Sequence, residues 1–99
     1  MGSIFVKYLV CYDISDSRKR RQFFEDLKDL GLIPVQKSVF YGDLKPPEVK
    51  MLSQMIKNKL DPEEDSCLWF PCHLTVDRIQ SCLGLHNFSY NPPDGNGII

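Results

Sequence analysis

What this chain of 99 residues lacks narrows its chemistry first. No apolar run approaches the ~18 residues of a membrane span, so no membrane partner is expected. The stretch from Ile4 to Tyr12 is apolar, but Lys7 interrupts it. It has no basic segment before it and no cleavage pattern after it, so no secretory signal is expected and a cytoplasmic location is. The four cysteines stand at 11, 67, 72 and 82 and form no C-x-x-C, and His73 and His86 give no repeated ligand spacing. A zinc site is therefore not expected. In a reducing compartment the thiols stay free. Cys11 and Cys67 lie inside strand-like runs and read as small buried hydrophobes. No glycine loop of the phosphate-binding kind is present. No serine–histidine–aspartate or cysteine–histidine arrangement can be argued from residue order. Charge of one sign is also missing: the formal net charge is −1. That gives no global pull toward nucleic acid, so any such contact must come from a local patch.

What is present is ordinary for a globular domain, with 42% hydrophobic and 25% charged residues. The length fits one domain near the low end of what buries a self-sufficient core. Such a domain often gains stability by pairing with a copy of itself.

Ile4 to Tyr12 reads as a central strand, apolar on both faces and free of Gly and Pro. Asp16, or Ser15, can cap a helix by accepting hydrogen bonds from its free amides. Phe23, Phe24, Leu27 and Leu30 then share one face at helical spacing. Gly31 supplies a left-handed stop, which predicts a first helix over about Ser17 to Leu30. "LIPVQ" and "SVFYGDL" follow as two short strands joined near Lys37, an antiparallel pair without a strong two-residue turn signal. Pro46 and Pro47 suit the first turn of a second helix. Val49, Leu52, Met55, Ile56 and Leu60 form its apolar stripe. "DPEED" breaks it and reads as a solvated turn. "SCLWFPC" is a further strand. "DRIQSCLGL" is a weaker last one, about Arg78 to Leu83. The order β-α-β-β-α-β with an extra C-terminal strand predicts an α+β, ferredoxin-like domain: one antiparallel sheet with both helices on one face. It spans residues 1–84, and residues 85–99 form an irregular tail rich in Asn, Pro and Gly. The sheet face away from the helices needs a cover, and a second copy of the chain is one.

The chemistry gathers where the first strand ends. Asp13 stands where the chain leaves the sheet, on a rigid and accessible exit. A carboxylate there can hold a hard cation, since Mg²⁺ is commonly held by one or two carboxylates with waters and substrate phosphate. The alternative is that Asp13 only ends the strand. Arg18, Lys19, Arg20 and Arg21 lie in the first helical turn, where each opposes the helix dipole by roughly 0.3–1 kcal/mol. Attraction to phosphate would explain them. A solvated face with Asp16–Arg20 and Arg21–Glu25 pairs is the other reading. Phe40 and Tyr41 alternate, so one can stack on a base while the other packs inward, although core aromatics are commoner. His73 ends a strand and reads as structural.

"YDISDSRKRR", "LGLIPVQKSVFYGDL" and "LDPEEDSCLWFPC" occur in this order between about Val6 and Cys72. Together they resemble the CRISPR-associated Cas2 family; the first stretch alone is a weak signal, while "VQKSVFYGDL" downstream of "YDI" makes the combination specific. The resemblance implies a ferredoxin-like homodimer whose last strand adds to the partner's sheet. It implies that Asp13 is the family's metal-binding aspartate, with Mg²⁺ as cofactor and Tyr12 beside it in the catalytic site. Arg20, Ser38 and Phe40 fall on motif positions linked to the site or to nucleic acid. The implied activity is Mg²⁺-dependent phosphodiester hydrolysis of RNA or double-stranded DNA. The implied partner is the CRISPR integrase, whose dimers the protein holds together on DNA during spacer acquisition. A non-catalytic DNA scaffold and a toxin-type RNase on the same fold stay open as alternatives. After Cys72 the likeness fades.

Overall fold

The structure is a computed structural model and describes residues 4–81. Strand β1 (Val6–Asp13) leads into helix α1 (Ser17–Asp29), strands β2 (Ile33–Gln36) and β3 (Val39–Leu44), helix α2 (Pro46–Lys59), strand β4 (Ser66–Pro71) and a short helix α3 (Val76–Gln80). The four strands form one sheet in the order β2-β3-β1-β4 with every neighbouring pair antiparallel. This is the predicted split βαβ, ferredoxin-like arrangement. β1 is central, as its apolar character on both faces requires.

Local chemistry explains the element ends. The Asp16 carboxylate accepts the Lys19 amide at 2.8 Å and caps α1. Gly31 follows the helix with φ of +103°, where a Cβ would be strained. Pro46 and Pro47 fill the first turn of α2, and the Glu48 side chain accepts the Lys45 amide at 2.7 Å. Between β2 and β3 the chain turns through Ser38, at φ +64°. The turn thus places a serine in the left-handed region that Gly or Asn more often occupies, which is why it carries no strong turn signal. Gly42 is needed for close approach. A Cβ there would meet the Leu32 backbone at 3.3 Å.

The pleat sorts side chains to two faces. Tyr8, Val10 and Tyr12 of β1 face the helices with Phe40 and Leu44 of β3, and there they meet Phe23, Leu27 and Leu52. Each large apolar side chain buried in this core contributes roughly 1.5–3 kcal/mol. The opposite face holds a second, smaller cluster of Val35, Tyr41, Cys72 and Ile79, flanked by Leu9, Ile33, Val39 and Val76.

That second cluster corrects one expectation. The weak final strand, about Arg78 to Leu83, begins instead as helix α3. Thr75 caps it by accepting the Arg78 amide at 3.1 Å. Val76 and Ile79, three residues apart, then share one face, and Ile79 is 3% exposed. A strand would have put them on opposite faces. Residues 82–83 of that expected strand and the tail at 85–99 lie outside the described residues. Part of the far sheet face is therefore covered by the chain itself, but Leu68 and Phe70 of β4 remain 66% and 43% exposed on it.

Among the described residues Cys11, Cys67 and Cys72 are free thiols. Cys11 and Cys67 are half-buried rather than fully buried as expected, while Cys72 is buried; desolvation pushes Cys67 up to about 12 and raises Cys11 too, so both stay protonated.

A candidate metal and phosphate site at the end of the first strand

Asp13 is the last residue of β1 and lies opposite Ser66, the first residue of β4. It is exposed, and its carboxylate has no hydrogen-bond or ion-pair partner among the described residues. Its neighbour Tyr12 points the other way, because consecutive strand residues alternate. The Tyr12 ring is buried, edge-on to Phe23 at 5.1 Å and tilted against Phe40 at 6.2 Å. Burial raises its phenol above the ordinary value, although a hydrogen bond with Ser38 and the charge of Arg20 favour the ionised form. Tyr12 is thus a neutral phenol at physiological pH. It reaches the helix side of the sheet while Asp13 faces the far side.

On the helix side, a cleft of about 270 Å³ opens between α1 and the β2–β3 turn. Arg20, Arg21 and Lys37 supply cations, Tyr12, Ser17 and Ser38 supply hydroxyls, and Phe24 supplies an apolar wall. No carboxylate among the described residues lines it. The arrangement suits a phosphate oxyanion, which cations and hydroxyl donors hold together.

The block of four cations is divided. Arg20 Nη1 donates to the carbonyl of Ile14 at 2.8 Å, which fixes the guanidinium beside the strand end. Arg21 lines the cleft and, with Arg18, is exposed. Lys19 turns away and pairs with Asp65 at 2.8 Å. The expected Asp16–Arg20 and Arg21–Glu25 pairs do not form among the described residues. The solvated-face reading thus loses its two intrahelical ion pairs, while Arg18 and Arg21 remain solvent-exposed as that reading expects.

Phe40 and Tyr41 are both 0% exposed. Phe40 packs against Tyr12 and Phe24, and the Tyr41 hydroxyl donates to the Leu74 carbonyl at 2.8 Å. Neither offers a face to a base, so the expectation that one of them stacks is replaced by its alternative, a core role for both. Lys37 was missed as a candidate. Its signal is its place in the turn before Ser38, which only the β2–β3 pairing brings to α1. His73 is exposed and stands away from this site, beside the Lys7–Asp43 ion pair.

Among the described residues no group of three or more His, Cys, Asp or Glu side chains could enclose a metal ion. At the end of β1 the carboxylate without a partner among the described residues is Asp13. That fits Mg²⁺ held by one or two carboxylates with water and phosphate, and does not fit a closed cage.

The sequence model of the family described as "CRISPR associated protein Cas2" matches residues 6–78. A CRISPR-associated endoribonuclease Cas2 of Korarchaeum cryptofilum is 33% identical over 88 residues, covering 89% of this chain and 95% of that protein. One from Desulforudis audaxviator is 38% identical over 66 residues, covering 67% of this chain and 62% of that protein. Among solved structures, the hypothetical protein TT1823 from Thermus thermophilus superposes with a TM-score of 0.67 at 30% identity, over 74% of this chain and 88% of that one. No helix among the described residues is long and apolar enough to cross a membrane.

Proposed function

The chain belongs to the Cas2 family of CRISPR-associated proteins, and from that premise we propose that it is a Mg²⁺-dependent endonuclease whose catalytic carboxylate is Asp13. The observation that carries the reading is an exposed, unpartnered Asp13 at the same strand end as a cleft of three cations. The relatives' names speak of endoribonuclease activity, which favours RNA as substrate.

In this reading the unit is a homodimer. Two Asp13 side chains, one per subunit, would hold Mg²⁺, and a bound ion would supply Lewis acidity to an attacking water and to the scissile phosphate. The protein supplies the rest. Arg20, tied to the Ile14 carbonyl, presents its remaining N–H groups to a backbone phosphate. Arg21 and Lys37 hold the phosphate from either side. Tyr12 stays protonated and keeps Ser38 in place; its raised phenol argues against a base. Phe40 supports Tyr12 from the core. The strand-end carboxylate and the cation cleft open on opposite faces, so the nucleic acid passes around the end of β1.

One observation favours a second reading. The cation cleft contains no carboxylate and needs no metal to bind phosphate. The dimer would then bind duplex DNA through its backbone and hold it between integrase dimers during spacer acquisition.

Asp13→Asn separates the two. It keeps size and shape and removes the charge a hard cation requires. The variant should fold and bind nucleic acid but lose cleavage of labelled RNA and duplex DNA in Mg²⁺, down to the level seen with chelator. Cleavage that survives would sink the nuclease reading. Normal integration by a cleavage-dead variant, in an assay containing the integrase, would make the scaffold the main function.

A further inference from the structure

Only residues 14–16 separate β1 from α1, and all three are held. Ile14 is 1% exposed, and its carbonyl takes the Arg20 guanidinium. Asp16 caps the helix. Ser15 is held from a distant loop: its amide donates to Asp65 Oδ1 at 3.1 Å, and its hydroxyl donates to the Glu64 carbonyl at 3.0 Å. The other Asp65 oxygen, Oδ2, accepts Lys19 Nζ at 2.8 Å and the Asp61 amide at 2.9 Å. The Asp65 side chain is only 1% exposed. A covered carboxylate with three donors fixes geometry more firmly than a surface ion pair. Asp65 reaches both Ser15, two residues after Asp13, and Lys19, the residue before Arg20.

We propose that Asp65 is a positioning residue for the metal and phosphate site. Through Ser15 it fixes the direction in which Asp13 leaves the strand. Through Lys19 it sets the rotation of the first turn of α1, so that Arg20 and Arg21 face the cleft while Lys19 does not. The inference rests on the Asp13 reading above and extends it to a residue of the α2–β4 loop. Without the Asp65 carboxylate, Ser15 keeps only its hydroxyl bond to the Glu64 carbonyl, Asp13 samples more directions, and Lys19 is released into the cation block. A purely structural Asp65 would change only the melting temperature.

The test uses the full chain, ¹⁵N spectra and Mn²⁺ alone as a paramagnetic probe. In wild type, broadening should centre on Asp13. In Asp65→Asn with its β3 resonances intact, the Mn²⁺ concentration for half-broadening should rise roughly tenfold or more, as for loss of a group that orients a ligand. The Ser15 amide should also exchange faster. A folded Asp65→Asn with the wild-type Mn²⁺ titration would overturn the proposal. So would broadening centred on Asp61 to Asp65. If Asp65→Asn does not fold, Lys19→Gln removes one arm at the surface. It should give faster Ser15 exchange and a smaller shift of the titration in the same direction, and no change in either would overturn the proposal. Broadening that persists in Asp13→Asn, or never centres on Asp13 in wild type, overturns the metal reading itself and the clamp with it.

Discussion

Phe40 sits between Tyr12 and Phe24 with no exposed surface, so its service to the site passes through the core. Phe40→Ala should cost about 3–5 kcal/mol of stability, the range for a large aromatic removed from a packed interior. Phe40→Leu keeps most of the volume and should leave nucleic-acid affinity close to wild type. Urea melts and a binding titration check both, and weak binding by a stable Phe40→Leu would restore a stacking role. The cations behave differently. Arg20 and Lys37 line the cleft, whereas Lys19 is committed to Asp65. Lys37→Ala and Arg20→Ala should each weaken binding about equally across sequences and lower the slope of log K against log salt by roughly 1. A slope unchanged in Lys37→Ala would remove it from the phosphate site. The sequence carries the four cations as one block. It does not carry their division, because that depends on a carboxylate 46 residues away.

Elements set by local signals were legible: the Asp16 cap, the Gly31 stop and the prolines of α2 each act within a few residues. β1 was legible as central because both its faces are apolar. α3 was not, since five residues give too short a pattern to separate a spacing of three from alternation. The loop between α2 and β4 was read as a solvated turn, and its function as a tie appears only with the fold. The Asp61 amide, the Lys19 ammonium and the Ser15 amide hold the Asp65 carboxyl near about 2, against an ordinary 3.8. The folded value lies below the unfolded one. The tie therefore contributes its full stability above the ordinary value, and that contribution is lost as pH falls from 3.8 toward about 2. Melts of wild type and Asp65→Asn should differ at pH 5 to 7 and converge near pH 2. A difference that stays constant across this range would mean that the carboxylate charge is not what holds the loop.

The described residues of a single copy leave its far sheet face half covered. α3 closes it over Val35, Tyr41 and Cys72, but Leu68 and Phe70 stay exposed beside half-buried Leu9 and Cys11, on the face that also carries Asp13. A second copy stacked here about a two-fold axis would cover this strip and bring the two Asp13 carboxylates toward each other. Four large apolar side chains, two from each subunit, contribute at most roughly 6–12 kcal/mol when fully buried. Association itself costs an estimated 4–15 kcal/mol, so such a dimer would have little surplus and would depend on this strip. In a two-fold interface every substitution counts twice. Leu68→Lys and Phe70→Lys should therefore give a folded monomer at micromolar concentration by light scattering, where a dimer is the expected state of wild type. Both positions are exposed in the single chain, so the melting curve of the isolated subunit should survive. The monomer should keep phosphate binding in the Arg20–Lys37 cleft, which one chain builds alone, and, if two Asp13 side chains are required as proposed, lose Mg²⁺-dependent cleavage. Cleavage that persists in a proven monomer would show that one Asp13 suffices and would uncouple the nuclease reading from the dimer.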